Sequence, residues 1–173
     1  MAPLKVGDEF PADVKFEWAP ITDPDPTTCG IPQEYDASKE FAGKKVVLVS
    51  VPGAFTPSCS SWHIPPFIAR IDELTAKGVD FVVVIASNDS WVMNAWGKVN
   101  GVKGDSKIMF MSDTKSVFYK NHGWDAGPGR ADRSHRWVMV IERDGTVSVA
   151  DVEKTTKDVD VTSVDAVLSK LSG

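Results

Sequence analysis

Two short, unbroken β-branched runs punctuate the chain: Val46 to Val51 and Phe81 to Ala86. Runs of this length without polar alternation predict strands covered on both faces. Between them the apolar period changes. Ile64, Phe67, Ile68, Ile71 and Leu74 recur at helical steps and stop near Lys77-Gly78, which predicts a helix and a β-α-β unit. Asp89 then reads as the N-cap of a helix with Val92, Ala95, Trp96 and Val99 on one face. Ile108 to Met111 predicts another strand, and Asp113 caps a short helix carrying Val117 and Phe118 and ending at Gly123. Arg136 to Glu142 and Thr146 to Val152 flank Arg143-Asp144-Gly145 as a hairpin. Thr162-Ser163-Val164-Asp165 opens a last helix with Val164, Val167, Leu168 and Leu171 inward. The first 45 residues are proline-rich and irregular, and predict an N-terminal hairpin and a loop.

The core order is β-α-β-α, an inserted β-α, then β-β-α. Without the insert it is the order of the thioredoxin fold: α/β, with a mixed central sheet flanked by helices and, here, an N-terminal extension. The 173 residues suit one domain, spanning 1–173. A net charge of −5 and no basic run or Arg/Lys stripe argue against nucleic acid. No apolar stretch is long enough to span a membrane. The N-terminus has no apolar signal core, and Leu171-Ser172-Gly173 is not the Ser-Lys-Leu peroxisomal address, so a cytoplasmic protein is expected.

The two cysteines, Cys29 and Cys59, are too few for a secreted disulfide scaffold of this size. The bland reading of each is a small buried hydrophobe. The surroundings of Cys59 argue otherwise. Pro52-Gly53 ends the first core strand, and Thr56-Pro57-Ser58-Cys59 follows. Thr is a good N-cap and Pro is favoured at the next position, so Cys59 falls at the third helical residue, facing free N–H groups and the positive helix end. That placement favours the thiolate. Pro65-Pro66 should break or kink the helix after its first turn or two.

An ordinary thiol is only a few per cent ionised at neutral pH, and bringing one to an acidity near 6 takes roughly 3.4 kcal/mol. A helix end supplies typically about 0.3–1 kcal/mol. A cation should therefore lie close by. Ionisation alone raises a thiol's rate only some tens of fold, so a fast reaction at this sulfur also needs a fixed, forked donor for charge developing on its partner, which suits Arg.

Pro52-x-x-x-Thr56-x-x-Cys59 resembles the active-site motif of the peroxiredoxins. The longer string from Pro52 to Phe67, PGAFTPSCSSWHIPPF, is similar to the type II branch, the peroxiredoxin five subfamily, and closest to its fungal thiol-specific antioxidant members. The likeness continues through Ser87-Asn88-Asp89, Val92 to Lys98 and Ser134 to Val140. It implies that Cys59 is the peroxidatic cysteine, oxidised to a sulfenic acid, that Thr56 hydrogen-bonds the peroxide, that Arg136 is the active-site arginine, and that Pro52 shields the thiolate. Gly53 and His63 would support the site. His63 lies four residues after Cys59, on the same helical face, but no further Cys or His has metal-ligand spacing, so no metal and no cofactor is expected.

Cys29 sits in a loop-like segment before Gly30-Ile31-Pro32, which resembles the early cysteine of the fungal branch. The resemblance implies that Cys29 resolves the sulfenic acid as a disulfide between the subunits of a homodimer, with Phe55, Trp91 and the loop around Trp124 as candidate dimer-face residues. The alternative is direct reduction by an external thiol. Thioredoxin, or glutathione with glutaredoxin, would complete the cycle, with hydrogen peroxide or an organic hydroperoxide as substrate. The absence of any Cys-x-x-Cys argues against a disulfide oxidoreductase. A non-enzymatic redox sensor or chaperone is the remaining alternative.

Overall fold

The computed structural model describes residues 2–130 and 132–171. The reading of the terminal Ser172-Gly173 lies outside them. Three strands run parallel at the centre, β3 (Val46–Ser50), β4 (Phe81–Ala86) and β5 (Ile108–Ser112), with Val46 opposite Phe81 and Val82 opposite Ile108. On one side β6 (Trp137–Ile141) pairs antiparallel with β3, and β7 (Val147–Val152) with β6. On the other, β1 (Lys15–Trp18) meets β5 through Glu17 and Ser112 and pairs antiparallel with β2 (Gln33–Asp36). The full order is β2-β1-β5-β4-β3-β6-β7. The predicted N-terminal hairpin is thus the edge of the central sheet rather than a separate appendage.

The unbroken apolar runs have their expected cause. Every residue of β3 is buried. Val47 and Val49 face a core shared with Phe67, Leu74, Met93 and Trp96, while Val46 and Leu48 face a second core with Phe41, Phe118 and Trp137. The first core lies under α2 (Ile64–Ala69), α3 (Ile71–Ala76), α4 (Ser90–Val99) and α6 (Val164–Lys170). The second lies under α1 (Ala37–Glu40) and α5 (Val117–His122). This is the three-layer, thioredoxin-like α/β arrangement, with β5 and α5 as the insert.

Two local expectations are corrected. Pro65 and Pro66 do not break the helix after Cys59. They lack the N–H groups that an α-helix would direct to the carbonyls before them, and Cys59–His63 winds as a wider π turn that runs directly into α2. The break falls at Arg70, between α2 and α3, where the backbone leaves helical angles (φ −113°, ψ 23°). The inward face of α4 is also rotated from the predicted one. Met93, Trp96 and Gly97 are buried, with Asn94 and Lys98 beside them, and Val99 is exposed. The two polar residues are buried because they bond carbonyls of the N-terminal segment: Asn94 Nδ2 donates to Ala19 O, and Lys98 Nζ to Asp25 O and Thr28 O. In α5, Phe118 is buried and Val117 exposed. Asp113 does cap it, accepting from Phe118 N and Tyr119 N.

Candidate active site

The site forms where β3 ends. Val51 N still donates to Ile85 O, and then Pro52-Gly53 turns the chain away from the sheet. Asn88, just past β4, accepts from Ala54 N at 2.8 Å and ties the turn down. Gly53 sits at a close approach of side chains. A Cβ there would lie 2.9 Å from Arg133 Nη1 and 3.2 Å from the Thr56 methyl. Phe55 sits in the left-handed region, φ 59°, a strained setting for an aromatic residue, and its ring is exposed.

Helical backbone begins at Pro57, and Ser60 N donates to Thr56 O at 2.9 Å. Cys59 therefore occupies the expected third position. The Thr56 side chain behaves differently from a simple cap. Its hydroxyl donates to Gly53 O at 2.7 Å, which holds the turn and leaves the oxygen's lone pairs facing outward. Cys59 is fully buried, and Ser60 on the same turn accepts from Trp96 Nε1 of α4 at 3.1 Å.

Arg136 enters from the start of β6, 1% exposed. Its Nη2 donates to Cys59 Sγ at 3.3 Å and to Thr156 O at 2.9 Å, and its Nη1 donates to His63 Nδ1 at 2.8 Å. A guanidinium can only donate, so His63 Nδ1 accepts and the ring proton sits on Nε2, which donates to Thr162 O at 2.9 Å. Burial, and then the charge of Arg136, push His63 down to about 3. His63 is thus a neutral brace for the arginine, neither a base nor a metal ligand. Among the described residues, Arg136 has no carboxylate partner and its Nε is a buried donor with no acceptor. The sulfur of Cys59 is the one group in contact with this buried cation that can become an anion.

The sequence offered no signal for the supports behind this pair. Glu153 is buried, and one of its oxygens accepts from Asp160 N, Thr162 N and Thr162 Oγ1 at 2.7–2.8 Å. It fixes the loop after β7 whose carbonyls at Thr156 and Thr162 receive Arg136 and His63. Nothing in the charged run Asp151-Val152-Glu153-Lys154 distinguishes the buried glutamate from its solvated neighbours. A cleft of about 320 Å³ opens over Arg136, lined by Pro52, Thr56, Pro57, Arg133 and Lys157 among others. Its residues hold no metal ligand set, and no group of three or more His, Cys, Asp or Glu gathers to hold a metal among the described residues.

Cys29 is not brought to Cys59. Both thiols are free, Cys59 buried and Cys29 exposed. The segment before Cys29 is anchored to α4 by Lys98 Nζ, which also donates to Thr28 Oγ1 at 2.9 Å, while Gly30 packs against Ala19 and Asn94. Of the candidate dimer-face residues, Phe55 and Trp91 are exposed, whereas the Trp124 ring packs on Trp137. No helix among the described residues is long and apolar enough to cross a membrane.

The sequence profile of the Redoxin family matches residues 5–168. The peroxiredoxin Pen c 3 of Penicillium citrinum is 48% identical over 170 residues, covering 97% of this chain and 99% of the relative. Among solved structures, reduced Prx3 of Vibrio vulnificus in complex with H2O2 superposes with a TM-score of 0.80 at 32% identity, covering 97% of this chain and 96% of that one. Peroxiredoxin 5 of Alvinella pompejana gives 0.72 at 29%, covering 98% of each. A likeness of this extent, over a chain whose motif-bearing cysteine sits beside a buried arginine, means that the protein belongs to the redoxin family as a peroxiredoxin of the type II kind, a thiol-dependent peroxidase.

Proposed function

We propose that Cys59 is the peroxidatic sulfur, with Arg136, Thr56 and Pro52 completing the site. The observation that carries this is the contact of the buried Arg136 guanidinium with Cys59 Sγ while His63 and Thr156 brace its other donors. A buried cation without a carboxylate is costly, and the Cys59 sulfur is the contacting group able to offset it once charge develops there. The thiolate attacks the distal oxygen of the hydroperoxide. The S–O bond forms as the O–O bond breaks, Cys59 becomes a sulfenic acid, and the departing alkoxide or hydroxide takes up a proton to leave as alcohol or water. Arg136 stabilises the charge on the departing oxygen. The Thr56 oxygen, its own hydrogen directed to Gly53 O, accepts from the peroxide O–H. Pro52, buried on the cleft wall, keeps water from the sulfur.

In this reading Cys29 attacks the sulfenic sulfur, a disulfide forms and water leaves. The exposed Cys29 and the buried Cys59 are joined in a homodimer, each Cys29 serving the partner's site. The exposed rings of Phe55 and Trp91 support such a face. Thioredoxin, or glutathione with glutaredoxin, returns the dithiol, and the reducing cytoplasm is the compartment of the cycle. Non-reducing electrophoresis after one equivalent of peroxide tests the pairing. A covalent dimer absent from both Cys29→Ser and Cys59→Ser supports it. An internal disulfide in a monomer refutes it.

A further inference from the structure

The protein is acidic overall, at −5, yet its cleft is rimmed by cations. Arg130, Arg133, Arg136 and Lys157 all line it. Among the described residues none of the four has a carboxylate oxygen within 4.0 Å, although seven other ion pairs form on this chain. The nearest acids in sequence bond other groups, although Asp125 and Asp132 line an adjoining cleft with Arg130 and Arg133. Asp132 pairs with Lys120 at 2.7 Å, and the Asp158 carboxylate accepts from Thr155 N at 3.1 Å. Arg133, although exposed, lies against the Pro52-Gly53 turn. Its Nη1 donates to Pro52 O at 3.4 Å and occupies the space that any Cβ at residue 53 would fill. Arg136 is accounted for by the chemistry of Cys59. Arg133, Arg130 and Lys157 are not, since hydrogen peroxide carries no charge for them to meet.

We propose that Arg133, with Lys157 and Arg130, forms an anion subsite at the cleft mouth that selects hydroperoxides bearing a carboxylate. This rests on the peroxidase reading of Cys59. The hydroperoxide end descends to Arg136 and Thr56, the carbon frame lies against Pro52 and Pro57, and the carboxylate meets the guanidinium of Arg133 and the ammonium of Lys157. Exposed cations without a carboxylate partner at a cleft mouth attract such a substrate and orient it, with an effect that fades as salt rises. The redox step is unchanged: the same O–O bond breaks, and the product is an alcohol that keeps its carboxylate.

Cumene hydroperoxide and its para-carboxylate share a frame and differ in charge. Their kcat/KM values for oxidation of Cys59 in the reduced, full-length protein provide the test. The carboxylate is expected to react about three- to tenfold faster at low salt, with the advantage shrinking at high salt. The ratio should fall toward one in Arg133→Gln. It should invert in Lys157→Glu, which reverses a charge on the cleft lining. Equal rates for the two peroxides, or a ratio indifferent to both substitutions, overturn the subsite. A second arm compares 3-mercaptopropionate with 2-mercaptoethanol as reductants of the oxidised protein. A charge preference confined to that half-reaction assigns the cations to the reductant and also overturns it. Failure of both peroxides to oxidise Cys59 would instead sink the underlying peroxidase reading.

Discussion

The two cysteines occupy opposite settings on one scaffold. Cys59 is fully buried, held by a helical turn and in contact with an arginine that is itself 1% exposed. Cys29 is exposed, in a segment anchored by bonds from Lys98 and Asn94 to loop carbonyls. α4 touches both, through Trp96 on the Cys59 turn and through Lys98 on the Cys29 segment. The difference suits the proposed division of labour. A sulfur that attacks a peroxide benefits from fixed charge and exclusion of water, while a sulfur that meets another subunit must be reachable. The buried one must also become accessible for a disulfide, because bridged Cα atoms lie within about 7 Å. The π turn at Cys59–His63, followed by two prolines that cannot donate to it, is the part of the site suited to unwinding.

The comparison can be broken most sharply at Cys59. Cys59→Ser should abolish peroxide consumption while circular dichroism shows an unchanged fold; turnover surviving in that variant would exclude the mechanism. Arg136→Ala should slow oxidation of Cys59 by about 100-fold or more, the usual scale for removing a donor at a developing charge. The deficit should persist at alkaline pH, where any thiol is ionised. Full recovery there would reduce the arginine to a thiolate stabiliser and remove its part in polarising the peroxide. Cys29→Ser should leave the oxidation of Cys59 within about twofold but slow thioredoxin-coupled turnover about tenfold or more, because resolution follows the transition state that Arg136 serves.

His63 sharpens the buried side through stability. Its folded-state value is depressed to about 3 from 6.5, chiefly by burial. Below pH 6.5 the unfolded chain takes up a proton that the folded chain refuses, so the His63 contribution is complete above 6.5 and lost as pH falls toward 3. Between pH 5 and 4, the unfolding free energy of the native protein should fall more steeply than that of His63→Gln, by about 1.4 kcal/mol per pH unit. Parallel denaturation curves would show that His63 is not the buried neutral brace described. The smallest effect belongs to the exposed side. Lys98→Met removes the three hydrogen bonds that anchor the Cys29 segment and should change the rate of disulfide formation by about threefold or more, with sulfenic acid formation as the internal reference.

The strands were legible because their period is local. Val46 to Ser50 and Phe81 to Ala86 are apolar at every position, and only a doubly covered sheet accommodates that. The turn bearing Cys59 was legible for the same reason, since Thr-Pro-x-Cys sets its own helical start. The inward face of α4 was misread because Asn94 and Lys98 resemble surface residues until the carbonyls they bond are known. Glu153 and Thr162 were invisible because their role is to position Arg136 and His63 through loop backbone, which leaves no periodic mark. The cationic rim was missed as well. Arg130, Arg133 and Lys157 form no run in the sequence, and they converge only where the loop before β6 meets the loop after β7.

By itself, then, the sequence determined the order of the core elements and the identity and backbone position of the motif cysteine, because hydrophobic period and helix initiation depend on neighbours a few residues apart. Tertiary structure alone decided what surrounds that cysteine: which cation touches its sulfur, which tautomer braces that cation, and which charges rim the entrance. Those are properties of groups brought together from distant segments, and their effect depends on burial that no local pattern records.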